Sequence, residues 1–250
     1  MAIAWITGAG TGIGRAVSLE LASRGWKVVA SSRTESKLHN LVEAAAEFSG
    51  EVVPLILDIT DSLSVRKTVN YIEKNVGPID LALLNAGTYK KFDVSELSLE
   101  LFRDHMDLNF MGTVNCLESL LQHMRLRRCG HIAVVSSLTA YRGIPYASAY
   151  GASKAALTNM CEALKPELEP FKIDITVIHP GFVKTPLTDK NEFSMPFLLE
   201  VEDAACRIVN GLESRKFEIT FPRRFAFLLK VARFVPYQLY FAFARRLVKR

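Results

Sequence analysis

Along the first 85 residues, short apolar runs alternate with stretches whose apolar positions recur every three or four residues. The runs at 2–7, 28–31, 52–57 and 81–84 are aliphatic and bounded by Gly, Pro, Asp or Asn. Runs of that kind read as strands buried on both faces. The stretches between them, at 13–23, 35–48 and 63–75, carry the helical spacing. Strand–helix alternation with continuously apolar strands predicts a parallel sheet covered by helices on both faces. Right-handed crossovers then leave few topologies, and a doubly wound sheet is the favoured one. The pattern continues with a helix over 99–126, a strand at 132–135, a helix from 149, a strand at 173–178, a helix over 201–213 and a strand at 217–220. Pro166 and Pro170 predict that the helix from 149 kinks or ends near Leu164, because an interior proline costs about 3 kcal/mol.

After residue 220 the alternation stops. Pro222 and Pro236 suit first helical positions. Behind them Phe225, Leu228 and Leu229, then Leu239, Tyr240, Phe243 and Leu247, recur at three- and four-residue steps. The expected organisation is one domain over 1–220 and a basic, amphipathic helical tail over 221–250.

Charge changes the picture of that tail. The chain has 31 Lys and Arg against 26 Asp and Glu, a formal +5. Eight of the basic residues and none of the acidic ones lie in 221–250, so residues 1–220 carry 23 against 26, or −3. An argument from charge to a partner is therefore an argument about the tail. Lys and Arg on one helix face with Phe and Leu on the other can lie in a bilayer interface. The same pattern also suits helices that cover the core or a neighbouring subunit. No nucleic-acid partner is expected. At 250 residues and 49% apolar content the chain can bury a real core, which excludes wholesale disorder. Cys116, Cys129, Cys161 and Cys206 form no CxxC pair, and the five His show no metal spacing. Free buried thiols, no metal and a cytoplasmic location are the expectations, the last allowing peripheral contact with a membrane. The N-terminus has neither a basic n-region nor an apolar h-region.

The chemistry begins at Thr7-Gly8-Ala9-Gly10-Thr11-Gly12-Ile13-Gly14, directly after the first strand and opening the first helix. Glycines there let the backbone turn tightly and approach a pyrophosphate on the helix N-terminus. The bland alternative is a glycine-rich turn with no ligand. The second strand ends in Ser31-Ser32-Arg33-Thr34, with Lys37 one turn on, where an Asp or Glu would grip a free ribose. Hydroxyls and a guanidinium suit a 2′-phosphate with no carboxylate opposing it, so NADP is favoured over NAD. Tyr150 precedes Lys154 by four residues, which puts both on one helix face. A cation beside the phenol is expected to lower its pKa toward neutrality. Tyr141 and Tyr146 have no Lys at that spacing.

Together with Asn85-Ala86-Gly87, Asn109, Ser136-Ser137 and Pro180-Gly181, these motifs resemble the short-chain dehydrogenase/reductase family in its short, single-domain branch. The resemblance covers roughly residues 2–220 and implies a Rossmann-like sheet with a C-terminal helical extension. It implies that Ser137 holds the substrate oxygen, with Ser136 the weaker choice, and that Tyr150 is the general acid/base. Lys154 would lower the pKa of Tyr150 and bind the nicotinamide ribose, and Asn109 would hold a relay water near it. Asp58 would contact adenine, and Asn85, Ala86 and Gly87 would line the adenosine side. Pro180, Gly181, Val183 and Thr185 would belong to the loop closing over the nicotinamide. The bland alternatives are a helix kink at Asn109 and a helix cap at Asp58.

The lid expected over 188–199 is apolar, with Phe193, Met195, Phe197, Leu198 and Leu199, which favours a lipophilic ketone or aldehyde over a sugar. The resemblance further implies a homodimer pairing the helices at 99–126 and 149–165, with Leu117, Leu120 and Leu121 as an apolar stripe. The resulting expectation is an NADP-dependent enzyme interconverting a carbonyl and an alcohol. A dinucleotide-binding scaffold without turnover is the alternative.

Overall fold

The computed structural model describes residues 1–189 and 195–248. Seven strands form one parallel sheet: β1 (Ile3–Thr7), β2 (Lys27–Ser32), β3 (Glu51–Ile56), β4 (Leu81–Leu84), β5 (Gly130–Val135), β6 (Ile173–Pro180) and β7 (Glu218–Phe221). Their order across the sheet is β3-β2-β1-β4-β5-β6-β7. The strand period of two sorts the apolar residues onto two faces. Ala4, Ile6, Val28, Ala30, Leu83 and Ile178 meet α1 (Gly12–Ser23), α2 (Glu35–Ala44) and α7 (Val201–Glu213) on one face. Ile3, Trp5, Val29, Ile132 and Val177 meet α3 (Ser62–Tyr71), α5 (Gly112–Arg127) and α6 (Ser148–Leu168) on the other.

The doubly wound sheet and the helical extension are as expected, but several local readings are corrected. The run at 52–57 is not buried on both faces: β3 is an edge strand, and Ile56 is exposed. The helix predicted over 35–48 ends at Ala44. The helix over 99–126 is broken into α4 (Leu99–His105), a π-helical segment Met106–Met111 and α5. α6 passes Pro166 and ends at Leu168, whose burial in the core anchors the last turn despite the missing donor. Pro222 and Pro236 sit one residue earlier than expected, capping α8 (Arg223–Ala232) and α9 (Tyr237–Ala244).

Two expectations about surfaces also change. Cys116 and Cys161 are buried, whereas Cys129 in the turn before β5 and Cys206 on the outer side of α7 are exposed. Leu117 and Leu120 face the core, and Leu121 packs against it, so that stripe is not a surface for a second copy. Among the described residues no helix is long and apolar enough to cross a membrane.

Candidate active site

A doubly wound sheet opens a crevice where the direction of winding reverses, at the carboxyl ends of its strands. Here the reversal lies between β1 and β4. A cleft of about 490 Å³ runs there. Its lining includes Gly8, Gly10, Thr11, Gly12 and Ile13 after β1, Ser32, Arg33 and Lys37 after β2, and Asp58 after β3. Asn85, Ala86 and Gly87 follow β4, Ser136 and Ser137 follow β5, and Tyr150 and Lys154 come from α6. Pro180, Gly181, Val183 and Thr185 complete the wall at the end of β6.

The glycine loop is shaped by close approach. Gly8 has φ +67°, a region that favours glycine, and a Cβ there would lie 2.8 Å from the Ala86 Cα. Gly14 does not line the cleft. A Cβ on it would lie 2.4 Å from the Gly8 carbonyl oxygen and 2.5 Å from Asn85 Nδ2. Its role is to seat α1 against the loop. Asn85 locks the same region by donating from Nδ2 to the Thr7 oxygen (3.1 Å) and taking its backbone N–H to Thr7 Oγ1 (3.0 Å).

These residues fit a dinucleotide. Thr11 at the start of α1 makes no side-chain capping bond and the first turn carries no acid, so its amides and dipole suit a pyrophosphate. At the outer end, Arg33 lies 3.8 Å from Asp58, both exposed. A carboxylate does therefore oppose Arg33, reached from the neighbouring strand rather than from β2. Asp58 caps no helix: it accepts from the Thr60 N–H and hydroxyl, while Asp61 caps α3.

At the inner end, Ser137, Tyr150 and Lys154 share one wall. Ser136 donates to the Lys154 carbonyl oxygen at 2.8 Å and lies 3.0 Å from Thr158 Oγ1, so its hydroxyl is engaged in structure. Ser137 lies beside Tyr150 in the cleft wall. Lys154 Nζ donates to the Val135 oxygen at 2.8 Å and lies 5.7 Å from the centre of the Tyr150 ring. Burial pulls Lys154 down to about 8. Burial pushes the Tyr150 phenol up to about 12, against a downward pull from Ser137. The direction is opposite to the expected one, because desolvation of the phenolate outweighs the pull from Ser137.

Asn109 does not line the cleft. Its side chain is fully buried behind the cleft, accepting from the Thr88 N–H at 2.7 Å and donating to the Thr88 oxygen (3.1 Å) and Ser153 Oγ (2.9 Å). It sits within the π-helical segment and ties the end of β4 to α6. The sequence reading missed Thr88 and Tyr89, although they directly follow Asn85-Ala86-Gly87. Thr88 lines the cleft, and the Tyr89 ring meets Tyr150 edge-on at 5.0 Å. Thr188, expected only as the start of the lid, lines the cleft, accepts from the Thr185 N–H and donates to the Val183 oxygen. Of the expected lid, Phe193 lies outside the described residues. Met195, Phe197, Leu198 and Leu199 do not line the cleft; Phe197 instead packs on Phe225 of α8 with ring centres 6.2 Å apart.

Comparison with known proteins agrees with this geometry. The short chain dehydrogenase family profile matches residues 2–194. An uncharacterized oxidoreductase from Myxococcus xanthus is 36% identical over 244 residues, spanning 98% of this chain and 96% of that one. A 3-ketodihydrosphingosine reductase from Bacteroides thetaiotaomicron is 35% identical over 189 residues, 76% of this chain and 66% of that one. Among solved structures, a short-chain dehydrogenase/reductase from Burkholderia phymatum in complex with NAD superposes with a TM-score of 0.85 at 22% identity, covering 92% of each chain.

Proposed function

The chain belongs to the short-chain dehydrogenase/reductase family of oxidoreductases, and within it we propose a reductase that uses NADPH to convert a lipophilic ketone or aldehyde to the alcohol. The observation that carries this reading is the convergence of Ser137, Tyr150 and Lys154 on one wall at the inner end of the cleft. When bound, the cofactor supplies a hydride for the carbonyl carbon. Ser137 Oγ holds the carbonyl oxygen, and the Tyr150 hydroxyl delivers the proton to it as negative charge develops. A phenol held at about 12 keeps that proton at neutral pH. Lys154, positive below about 8, steadies the phenolate that forms. Asn109 is a positioning residue that keeps Thr88 and α6 in register.

Arg33, Ser32 and Lys37 support NADP over NAD, with Arg33 shared between Asp58 and a 2′-phosphate. A lipophilic substrate is supported by the relative that carries the name of a 3-ketodihydrosphingosine reductase. We place the protein in the cytoplasm as a homodimer. Light scattering that returned the mass of one chain would reject the dimer. The enzyme itself is tested by NADPH oxidation across a panel of long-chain ketones and aldehydes. Tyr150→Phe should lose about 10²–10⁴-fold in kcat while still binding NADPH. Equal rates in wild type and Tyr150→Phe would reject the assigned chemistry.

A further inference from the structure

The tail presents an apolar surface that the rest of the described chain does not cover. α8 turns Phe225, Ala226 and Leu229 inward, against Leu138 and Tyr141. Its opposite side carries Phe227, Leu228 and Val231, with Phe234 just beyond, all exposed and spaced as one helix face. Phe234 is 86% exposed. α9 adds Tyr237, Leu239, Phe241 and Phe243, each at least half exposed. Single exposed apolar residues need no explanation, but a dense cluster of aromatics and leucines on consecutive helices marks an interaction surface.

Charge chooses the occupant. Arg223, Arg224, Arg233, Arg245 and Arg246 are exposed around this face, and residues 221–250 contain no acid. If the face met itself across a two-fold axis, these arginines would gather with no carboxylate from the segment to pair them. An anionic bilayer supplies both missing partners: headgroup phosphates for the guanidinium groups and acyl chains for the rings.

We propose that α8 and α9 form a docking face for anionic lipid. The face is held to the body at specific points, so docking fixes the orientation of the whole protein. Lys230 of α8 pairs with Glu218 of β7. Arg142 lies over Tyr237 and Tyr240 at 4.6 and 4.3 Å, and Tyr240 donates to the Gly143 oxygen. Phe225 stacks on Phe182 and Phe197, next to the residues that close the inner end of the cleft. The proposal is independent of turnover, and its test reads only binding.

The full-length protein is sedimented with vesicles of phosphatidylglycerol and phosphatidylcholine in equal parts, and with phosphatidylcholine alone, at low and high salt. Wild type is expected to pellet with the anionic vesicles, less so at high salt, and to stay in solution with phosphatidylcholine. Phe227→Ser with Phe234→Ser should abolish pelleting without lowering the melting temperature, since both rings are exposed. Arg245→Gln with Arg246→Gln should weaken partitioning about tenfold or more. Wild type remaining in the supernatant with anionic vesicles at low salt would overturn the proposal. So would a double-Phe variant that pellets like wild type. If wild type ignores vesicles and the double-Phe variant halves the mass seen by light scattering, the face belongs to a second copy.

Discussion

The dinucleotide end of the cleft and the seam between body and tail are built on different physical terms. At the dinucleotide end, backbone meets backbone: Gly8 and Gly14 leave no room for a side chain, and Asn85 bonds main-chain oxygens of the loop. At the seam with the tail, the body meets α8 and α9 largely through side chains able to shift, stacked rings and half-exposed charges. Main-chain packing tolerates no added atom, whereas side-chain packing yields by rotamer changes. The first region is therefore rigid and intolerant of change. The second can vary while the chemistry beside it survives.

The largest effect that tests this contrast comes from adding atoms in each region. Gly14→Val drives its new carbons into the Gly8 carbonyl and Asn85. It should destabilise the fold by about 3 kcal/mol and abolish measurable dinucleotide binding. Gly143→Ala, in the loop beneath α9, meets nothing within 4 Å and should change neither melting temperature nor binding. Calorimetry on both variants checks the pair, and a harmless Gly14→Val would break the comparison.

Acid should reach the fold through two buried histidines. His131, 2.8 Å from Thr176 Oγ1 in the sheet, and His179, 3.0 Å from Thr158 Oγ1 where the body meets the tail, are each pulled down to about 4 by burial. His179 also faces Glu218, 3.4 Å away, and Lys230 beyond it. The unfolded chain takes up these protons near pH 6.5, whereas the folded chain resists until about pH 4. Folding is thus at full strength above that window and weakens as pH falls through it, by on the order of 3 kcal/mol per histidine. Glu218 has the same sign. Burial pushes it up, but hydrogen bonds from Lys230 and Tyr141 hold it below the usual carboxylate range, so its contribution also fades in acid. Urea unfolding at pH 7 and at pH 4.5 measures the slope, and His131→Gln and His179→Gln should each flatten it.

Cofactor choice sharpens the comparison from the outer end. Ser32→Asp should repel a 2′-phosphate and move the ratio of NADP to NAD affinity about tenfold or more toward NAD. Equal wild-type dissociation constants for the two would show that Asp58 neutralises Arg33 in this site.

The smallest effect is expected where the tail is pinned by charge. Lys230 is 43% exposed in its pair with Glu218, so solvent screens much of the attraction. Lys230→Gln should cost about 1 kcal/mol or less in urea unfolding and leave NADPH oxidation unchanged. A larger loss would mean that the tail is as integral to the body as the glycine loop.

Periodicity and residue type by themselves determined the order of strands and helices, the glycine loop, and the placing of Tyr150 beside Lys154 on one helix face. Those features are local: a period of two or 3.6, or an i, i+4 step, is enough to specify them. What the sequence could not disclose depended on contacts between distant segments. Burial against other elements pushed the Tyr150 phenol up when its neighbour alone suggested the reverse. Packing turned Leu117 and Leu120 inward, and tied Asn109 to Thr88 across the end of β4. The carboxylate of Asp58 reached Arg33 only because β3 lies beside β2. Position at the sheet edge exposed one side of a β3 run that reads as buried. Desolvation, handed faces and cross-strand neighbours are properties of the folded assembly of elements, and a linear pattern carries none of them.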